Sequence, residues 1–479
     1  MRIFWSKDIK LFLLTSTIVL GLTTFVEAQV RTPGVYVEEI STFPASIAQV
    51  ETAVPAFIGC TQSGPAMRPI RIANIADFIK VFGGPEKATI SVNVGQKIAS
   101  NVKLNNNGIL YYSLEQYFKN GGGPCYIVSI GNFGSANYAK FTSALGVLKK
   151  ADEPTLILLP EAAYMGKNAY GQVIQAVLND CKLRKDRFGI FDYYYFQSNS
   201  GQEDITDYKK IRPVSFRESV GSNNLSYGAV YTPFLQTLLP YAYDEDQVSI
   251  NMIKASKNDK VSSLADIKKI NKTLYNQIKA QLAKQFIVLP PSSTVAGIYC
   301  TVDKDRGVWK APANVGLSSV TAPVKQISNA QQEGLNMDPT TGKSINVIRS
   351  YSGRGPLIWG ARTLAGNDNE WRYVPTRRLF ISIEESVQKG TTFAVFEPND
   401  KNTWLNVKSV VESYLYGLWQ QGALVGSTPE KAFFVKVGLG ETMTANDISN
   451  GRLIIQMGIA TVRPAEFIIS QVSHKMQKP

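Results

Sequence analysis

Histidine is nearly missing from this sequence: the one residue, His474, sits in the final tail. Serine–histidine–aspartate triads and most zinc or iron sites depend on imidazole, so those enzyme classes drop out at once. Cysteine is scarce too. Cys60, Cys125, Cys181 and Cys300 lie far apart with no C-x-x-C pair, which argues against a metal cluster, and apolar neighbours such as CYIVSI at 125–130 suit small buried side chains. No block of five or six basic residues occurs, no basic helix with interleaved aromatics and no zinc spacing, although Lys and Arg outnumber Asp and Glu by 51 to 38 for a net charge of +13. The excess is therefore spread out, pointing to an acidic partner surface and away from direct contact with nucleic acid.

Further signatures fail on spacing. Asp303 and Asp305 begin like a Ca²⁺ loop, but Gly307 is followed by Val-Trp-Lys where a spaced glutamate is required. Gly121-Gly122-Gly123 precede a strand, and Gly131-Asn132-Phe133-Gly134 lacks the G-x-G-x-x-G pattern, so these glycines read as a helix stop and a tight turn. Glu384 and Glu385 are adjacent on a helix, diverge by about 100° and cannot flank one substrate atom; they read as a solvated helix face. No catalytic, cofactor-binding or metal-binding residue is expected.

What is present is a globular composition, 44% hydrophobic over 479 residues, enough for two or three domains. Residues 1–28 read as a signal peptide: Lys7 and Lys10, an apolar run over 11–25 that is short for a membrane span, then Val26-Glu27-Ala28. Two readings are open, genuine export or an over-extended start with Val30 as initiator, since no methionine lies between Met1 and Met67. Residues 29–40 are extended, with Pro33-Gly34 and alternating Val35 and Val37, and 51–59 reads as a buried strand entering the body. From 68 to 289 helices alternate with strands (110–118 then 125–130, 138–149 then 155–159, 173–181 then 187–191), the pattern of an α/β layer with a largely parallel sheet. The aromatic run 192–196 reads as strand-end core packing, and residues 244–284 as a Lys-rich surface insertion with an exposed helix over 264–282. Residues 303–307 read as a charged turn.

The stretch 371–426 organises the C-terminal part. One helix follows Pro375 with Leu379, Phe380, Ile383 and Val387 on its apolar stripe, and Gly390 offers a left-handed stop. A strand at 393–396 ends at Glu397-Pro398, and a second helix from 402 to 421 carries Trp404, Val407, Val411, Tyr414 and Leu418 inwards, closed by Gly422. Beyond it come a strand at 432–437, a capping box at 444–447, a strand at 453–460 and a last strand at 467–472. Two helices on a small sheet, with a strand-forming segment at each end of the chain, leave edges that call for assembly.

Several words here resemble those of contractile tail sheath proteins, shared by phages, phage-tail-like bacteriocins and extracellular contractile injection systems. They are RRLFISIEESV (377–387), VFEPND (395–400), GALVGSTPEKAFFV (422–435) and MTANDISNGRLIIQMGIATVRPAEFII (443–469), with TPGVYVEEI (32–40), NGGGPCYIVSIG (120–131) and DRGVWKAPANV (305–315) upstream. Sheath proteins normally begin just before TPGVYVEEI, so residues 1–28 depart from that pattern. The resemblance implies an α+β inner domain, two helices on a small mixed sheet completed by neighbours' arms, plus an α/β outer domain with an insertion. Its division would be an N-terminal arm at 29–50, an inner-domain strand at 51–66, the outer domain at 67–290 with the insertion at 244–284, the inner domain at 291–462 and a C-terminal arm at 463–479. The family implies a homo-oligomer of stacked six-subunit rings around an inner tube protein, with baseplate and terminal cap proteins at its ends, no cofactor, no stable membrane insertion and assembly in the bacterial cytoplasm. Val35, Tyr36, Val37, Phe467, Ile468 and Ile469 would form the exchanged arms. Lys401, Lys408 and Lys431, on and near the second helix, are the candidates for the tube contact, while Trp404, Tyr414 and Trp419 fill the core. The rival reading is an exported surface or adhesive binding protein.

Overall fold

Strands at Pro55–Gly59, Cys125–Ser129, Leu156–Leu158, Phe188–Asp192 and Gly228–Thr232 read PAFIG, CYIVS, LIL, FGIFD and GAVYT, the continuous apolar runs that a sheet covered on both faces requires. In the computed structural model, which describes residues 46–464 apart from 96, 105–107, 194–212 and 253–261, these five strands pair in parallel. Asn346–Tyr351 extends the parallel ladder, and Gly355–Ile358 and Pro69–Ile72 close the two edges antiparallel, giving an eight-stranded sheet. The helices Leu110–Lys119, Tyr138–Leu148 and Lys167–Arg184 alternate with the strands as expected. A fourth helix, Ser292–Arg306, lies close against Leu110–Lys119 because Gly297 has no Cβ, which would meet the Tyr117 carbonyl oxygen at 2.7 Å.

The sheet does not follow the expected domain borders at 66/67 and 290/291. Pro55–Gly59 lies between Leu156–Leu158 and Cys125–Ser129, and residues beyond 290 supply two more strands, so inner and outer segments share one core. Likewise the Lys-rich insertion is half of a satellite. Its strand Ser249–Met252 pairs with Thr89–Val94, which pairs with Ile98–Lys103, and Ile90, Val92, Leu264, Ile267 and Ile278 close a separate small core. The single helix expected over 264–282 is two, Leu264–Ile270 and Lys272–Leu282, because the Asn271 side chain caps the second by accepting from the Leu274 N–H at 3.0 Å.

The C-terminal module holds the helices Val374–Gly390 and Lys401–Gln420 and the hairpin-like pair Phe433–Lys436 and Gln456–Ile459. Leu379, Ile383 and Val387 of the first helix meet Val407, Val411 and Leu418 of the second in one core with Val435. The Thr444 capping box is formed, with Asp447 Oδ2 accepting from the Thr444 N–H at 2.9 Å, and Gly422 takes φ +78. Other details differ from expectation. Residues 393–396 are no strand: Thr392–Ala394 is a 3-10 turn, no strand lies alongside it among the described residues, and Phe393, Val395 and Phe396 point to solvent. Gly390 is not a left-handed stop; it is the last residue of the helix, where a Cβ would strike Ile47 at 2.5 Å. Residues 303–306 form the last turn of the helix Ser292–Arg306, and the break comes at Gly307 with φ +88.

Candidate assembly surfaces

The first turn of helix Val374–Gly390 turns two arginines inwards. Arg378 Nη1 donates to Asp303 Oδ1 at 3.0 Å, Nη2 donates to the Thr52 carbonyl oxygen at 3.0 Å, and the guanidinium lies 4.5 Å over the Tyr299 ring. Thr52 Oγ1 donates to Asp303 Oδ2 at 2.5 Å. Burial alone lowers the Arg378 pKa, but the Asp303 carboxylate outweighs it and holds the guanidinium charge above its ordinary range. Arg377 lies 4.4 Å over the Tyr227 ring and 4.3 Å from that of Trp371. The two arginines therefore clamp the C-terminal module to the chain entering the central sheet and to the helix Ser292–Arg306.

Glu385 is not the solvated residue expected. It is buried and accepts from Lys389 Nζ at 2.5 Å, while Glu384 is partly exposed beside Arg377 at 3.9 Å. Two other carboxylates are fully buried at helix starts. Glu161 accepts from the Cys60 N–H at 2.6 Å and from the Leu110 N–H at 3.3 Å, and burial pushes it up to about 8. Asp192 accepts from the Ser292 N–H and hydroxyl, both at 2.6 Å, and burial pushes it up to about 7. Among the described residues no cluster of His, Cys, Asp and Glu is placed to hold a metal ion, and no helix is long and apolar enough to cross a membrane.

The strand Gln456–Ile459 has one partner strand among the described residues. Ala460 donates its N–H to Ala432 O and accepts from the Val425 N–H, both at 2.8 Å, so both groups face that partner side. By the alternation of an antiparallel ladder, Met457 and Ile459 turn theirs to the opposite edge, where no strand is described. Such an edge is a template for one more strand. The expected donors, Val35, Tyr36 and Val37 and the trio Phe467, Ile468 and Ile469, lie outside the described residues, as do residues 1–28.

Exposed apolar side chains gather in the same module. Nine of the 16 exposed large apolar side chains found among the described residues fall between 393 and 454. Phe396 is wholly exposed and sits at φ +71, a conformation that a bulky side chain rarely takes. On the long helix, which Asp400 caps by accepting from the Asn402 and Thr403 N–H groups, Lys401, Leu405, Lys408, Glu412 and Tyr416 follow one another at steps of four, three, four and four. They make one outward stripe. Lys408 meets Glu412 only at 3.9 Å, with both side chains well solvated, so its charge stays available. Lys401 and Lys408 are thus brought onto one face, whereas Lys431 is carried, exposed, by the short helix Pro429–Ala432. Trp404 and Tyr414 pack against the module core, as does Trp419. Leu405 and Tyr416 went unnoticed in the sequence, although their position opposite the buried stripe gives them away.

An α/β body thus carries a module whose strand Gln456–Ile459 has one partner strand among the described residues and which exposes several large apolar side chains. The profile of the phage tail sheath C-terminal domain matches residues 366–475. The helical sheath of the anti-feeding prophage in its contracted state is 31% identical, covering 93% of this chain and 99% of that one with a TM-score of 0.64. The sheath of a PVC extracellular contractile injection system in the contracted state is 31% identical, covering 93% and 98%, again with a TM-score of 0.64. Among curated relatives, a prophage major tail sheath protein of Pseudomonas aeruginosa is 23% identical over 37% of this chain and 44% of its own length. The tail sheath protein of Burkholderia phage BcepMu is 30% identical over 29% of each. The aligned stretches thus span less than half the length of these curated relatives. The chain belongs to the contractile tail sheath protein family.

Proposed function

We propose that this protein is the repeating structural subunit of a contractile sheath that surrounds an inner tube in a phage-tail-like particle, and that it works without catalysis. The open edge of Gln456–Ile459 carries this reading, in a chain that resembles contracted sheath subunits over nearly its whole length. Arms at 29–50 and 463–479 add strands to neighbours' hairpins and keep the lattice continuous, with Val35, Tyr36, Val37, Phe467, Ile468 and Ile469 as the pairing residues. Subunits stack as six-membered rings, assemble in the bacterial cytoplasm and meet baseplate and cap proteins at the ends.

The stripe of Lys401, Leu405, Lys408, Glu412 and Tyr416 faces the tube, with Lys431 beside it. Weak, solvated ionic contacts suit a surface that must let go. Contraction draws on a difference between two packings of the same subunits; roughly a few kcal/mol per subunit, summed over many copies, drives the tube through a target envelope. The Arg378–Asp303 clamp transmits that motion between module and body. A chain ending at Pro464 tests the arm assignment: it should stay folded but fail to polymerise in light scattering, and wild-type cylinders from it would overturn the assignment. The signal-like residues 1–28 favour one other reading, an exported binding protein, and mass spectrometry of the mature N-terminus separates the two.

A further inference from the structure

An open groove in the described part of the molecule is lined by no residue of the hairpin strands or of the long helix. It encloses about 690 Å³ between the helix Asn329–Asn336, the strand residue Arg349, the segment 359–361 and the loop 311–314. Some of its polar groups bond to one another within the wall, and Glu333 lies exposed in it. Arg349 Nη1 donates to Asn329 Oδ1 at 2.7 Å and Gln332 Oε1 at 2.9 Å, and Gln332 Nε2 donates to the Trp359 carbonyl oxygen at 2.9 Å. Beside these polar groups the groove presents an apolar lining of Ala311, Ala313, Trp359, Ala361 and Met337, the last 47% exposed. A well-formed apolar groove of this size fits an inserted chain with one or two large side chains.

Pro464 forms part of the same wall, and it is where the described chain ends, with Ala-Glu-Phe-Ile-Ile-Ser-Gln-Val still to follow. Its ring forces the preceding residue, Arg463, towards extended backbone. Three residues span up to about 10 Å, which puts Phe467 within reach of the groove. We infer that the groove is a docking site in cis for this chain's own segment 466–472, with Phe467 seated beside Trp359 and Met337. The inference goes beyond the sheath reading: it gives the C-terminal arm a resting place on its own subunit, so that pairing with a neighbour requires release first. A cis-docked arm lowers the population available for exchange and so slows spontaneous polymerisation.

Disulfide trapping decides the matter. The double variant Met337→Cys, Phe467→Cys, oxidised as the full-length protein before assembly and analysed on non-reducing gels, is expected to give an internally closed monomer of shifted mobility. Each single variant should give none. A ladder of linked dimers would mean that a second copy fills the groove, and no linkage would mean that the groove does not hold the arm; either overturns the inference. The trapped monomer should fail to polymerise until reductant is added. If reduced protein also fails to polymerise while the internal bond forms, the groove assignment stands and the arm-exchange reading falls. As a second handle, Trp359→Glu should lose the internal link and shorten the lag before polymerisation at least severalfold; an unchanged lag counts against a resting state.

Discussion

Replacing Arg378 with methionine isolates the clamp between the C-terminal module and the body. The substitution keeps an unbranched apolar side chain but removes the guanidinium over Tyr299 and its donors to Asp303 and to the Thr52 carbonyl oxygen. Asp303 would then stay buried with Thr52 Oγ1 as its remaining side-chain partner. Both charged side chains of the pair are at most 5% exposed, so solvent screening offers little relief. Removing one partner of such a pair costs about 3–5 kcal/mol, most of it the uncompensated charge. The companion Arg378→Met, Asp303→Leu removes both charges and should recover most of that loss, a coupling of about 2 kcal/mol or more. Chemical denaturation of the unassembled subunit, followed by tryptophan fluorescence, measures the cycle. A single variant that loses less than about 1 kcal/mol, or a double variant as unstable as the two singles combined, would refute the reasoning.

The long-helix stripe is tested by Lys408→Glu. It sets a like charge four residues from Glu412, a cost of only about 0.2–0.5 kcal/mol, so the subunit should fold normally yet polymerise less readily around the tube protein; unaltered templating would remove Lys408 from the interface. Glu161 predicts the pH dependence. Its carboxyl is raised from an ordinary value of 4.5 to about 8 by burial, so the folded state keeps its proton while the unfolded state loses it. Its stabilising share is complete below pH 4.5 and declines from there through pH 8, a loss on the order of 4–5 kcal/mol for so deeply buried a group. Glu161→Gln should flatten the fall of melting temperature between pH 5 and 8, leaving the smaller Asp192 share, and a slope identical to wild type would contradict the assignment.

The parts of this architecture that could be read from sequence are those set by neighbouring residues. Continuous apolar runs fixed the strands at 125–129 and 188–192, the 3.6-residue stripe fixed the helix Lys401–Gln420, and Thr444 with Asp447 announced its capping box. What failed depended on residues far away. Gly390 packs against Ile47, 343 positions earlier, and Asp303 lies in a helix where it receives Arg378, 75 positions later. Phe393, Val395 and Phe396 have strand composition but no strand to pair with among the described residues, and composition cannot supply a partner. The halves of the satellite, Thr89–Lys103 and Ser249–Leu282, meet through strand pairing and a shared core between segments far apart in sequence, so the second half looked like a bare insertion. Of the tube-facing candidates, Lys401 and Lys408 could be read because the helix was, and Leu405 and Tyr416 were open to the same reasoning.

Negative-stain electron microscopy of the protein expressed without residues 1–28, alone and together with its inner tube protein, tests the central claim most directly. Long striated hollow cylinders, narrower when the tube is present, are the predicted result. Uniform monomers under both conditions would contradict the account of a sheath built by arm exchange.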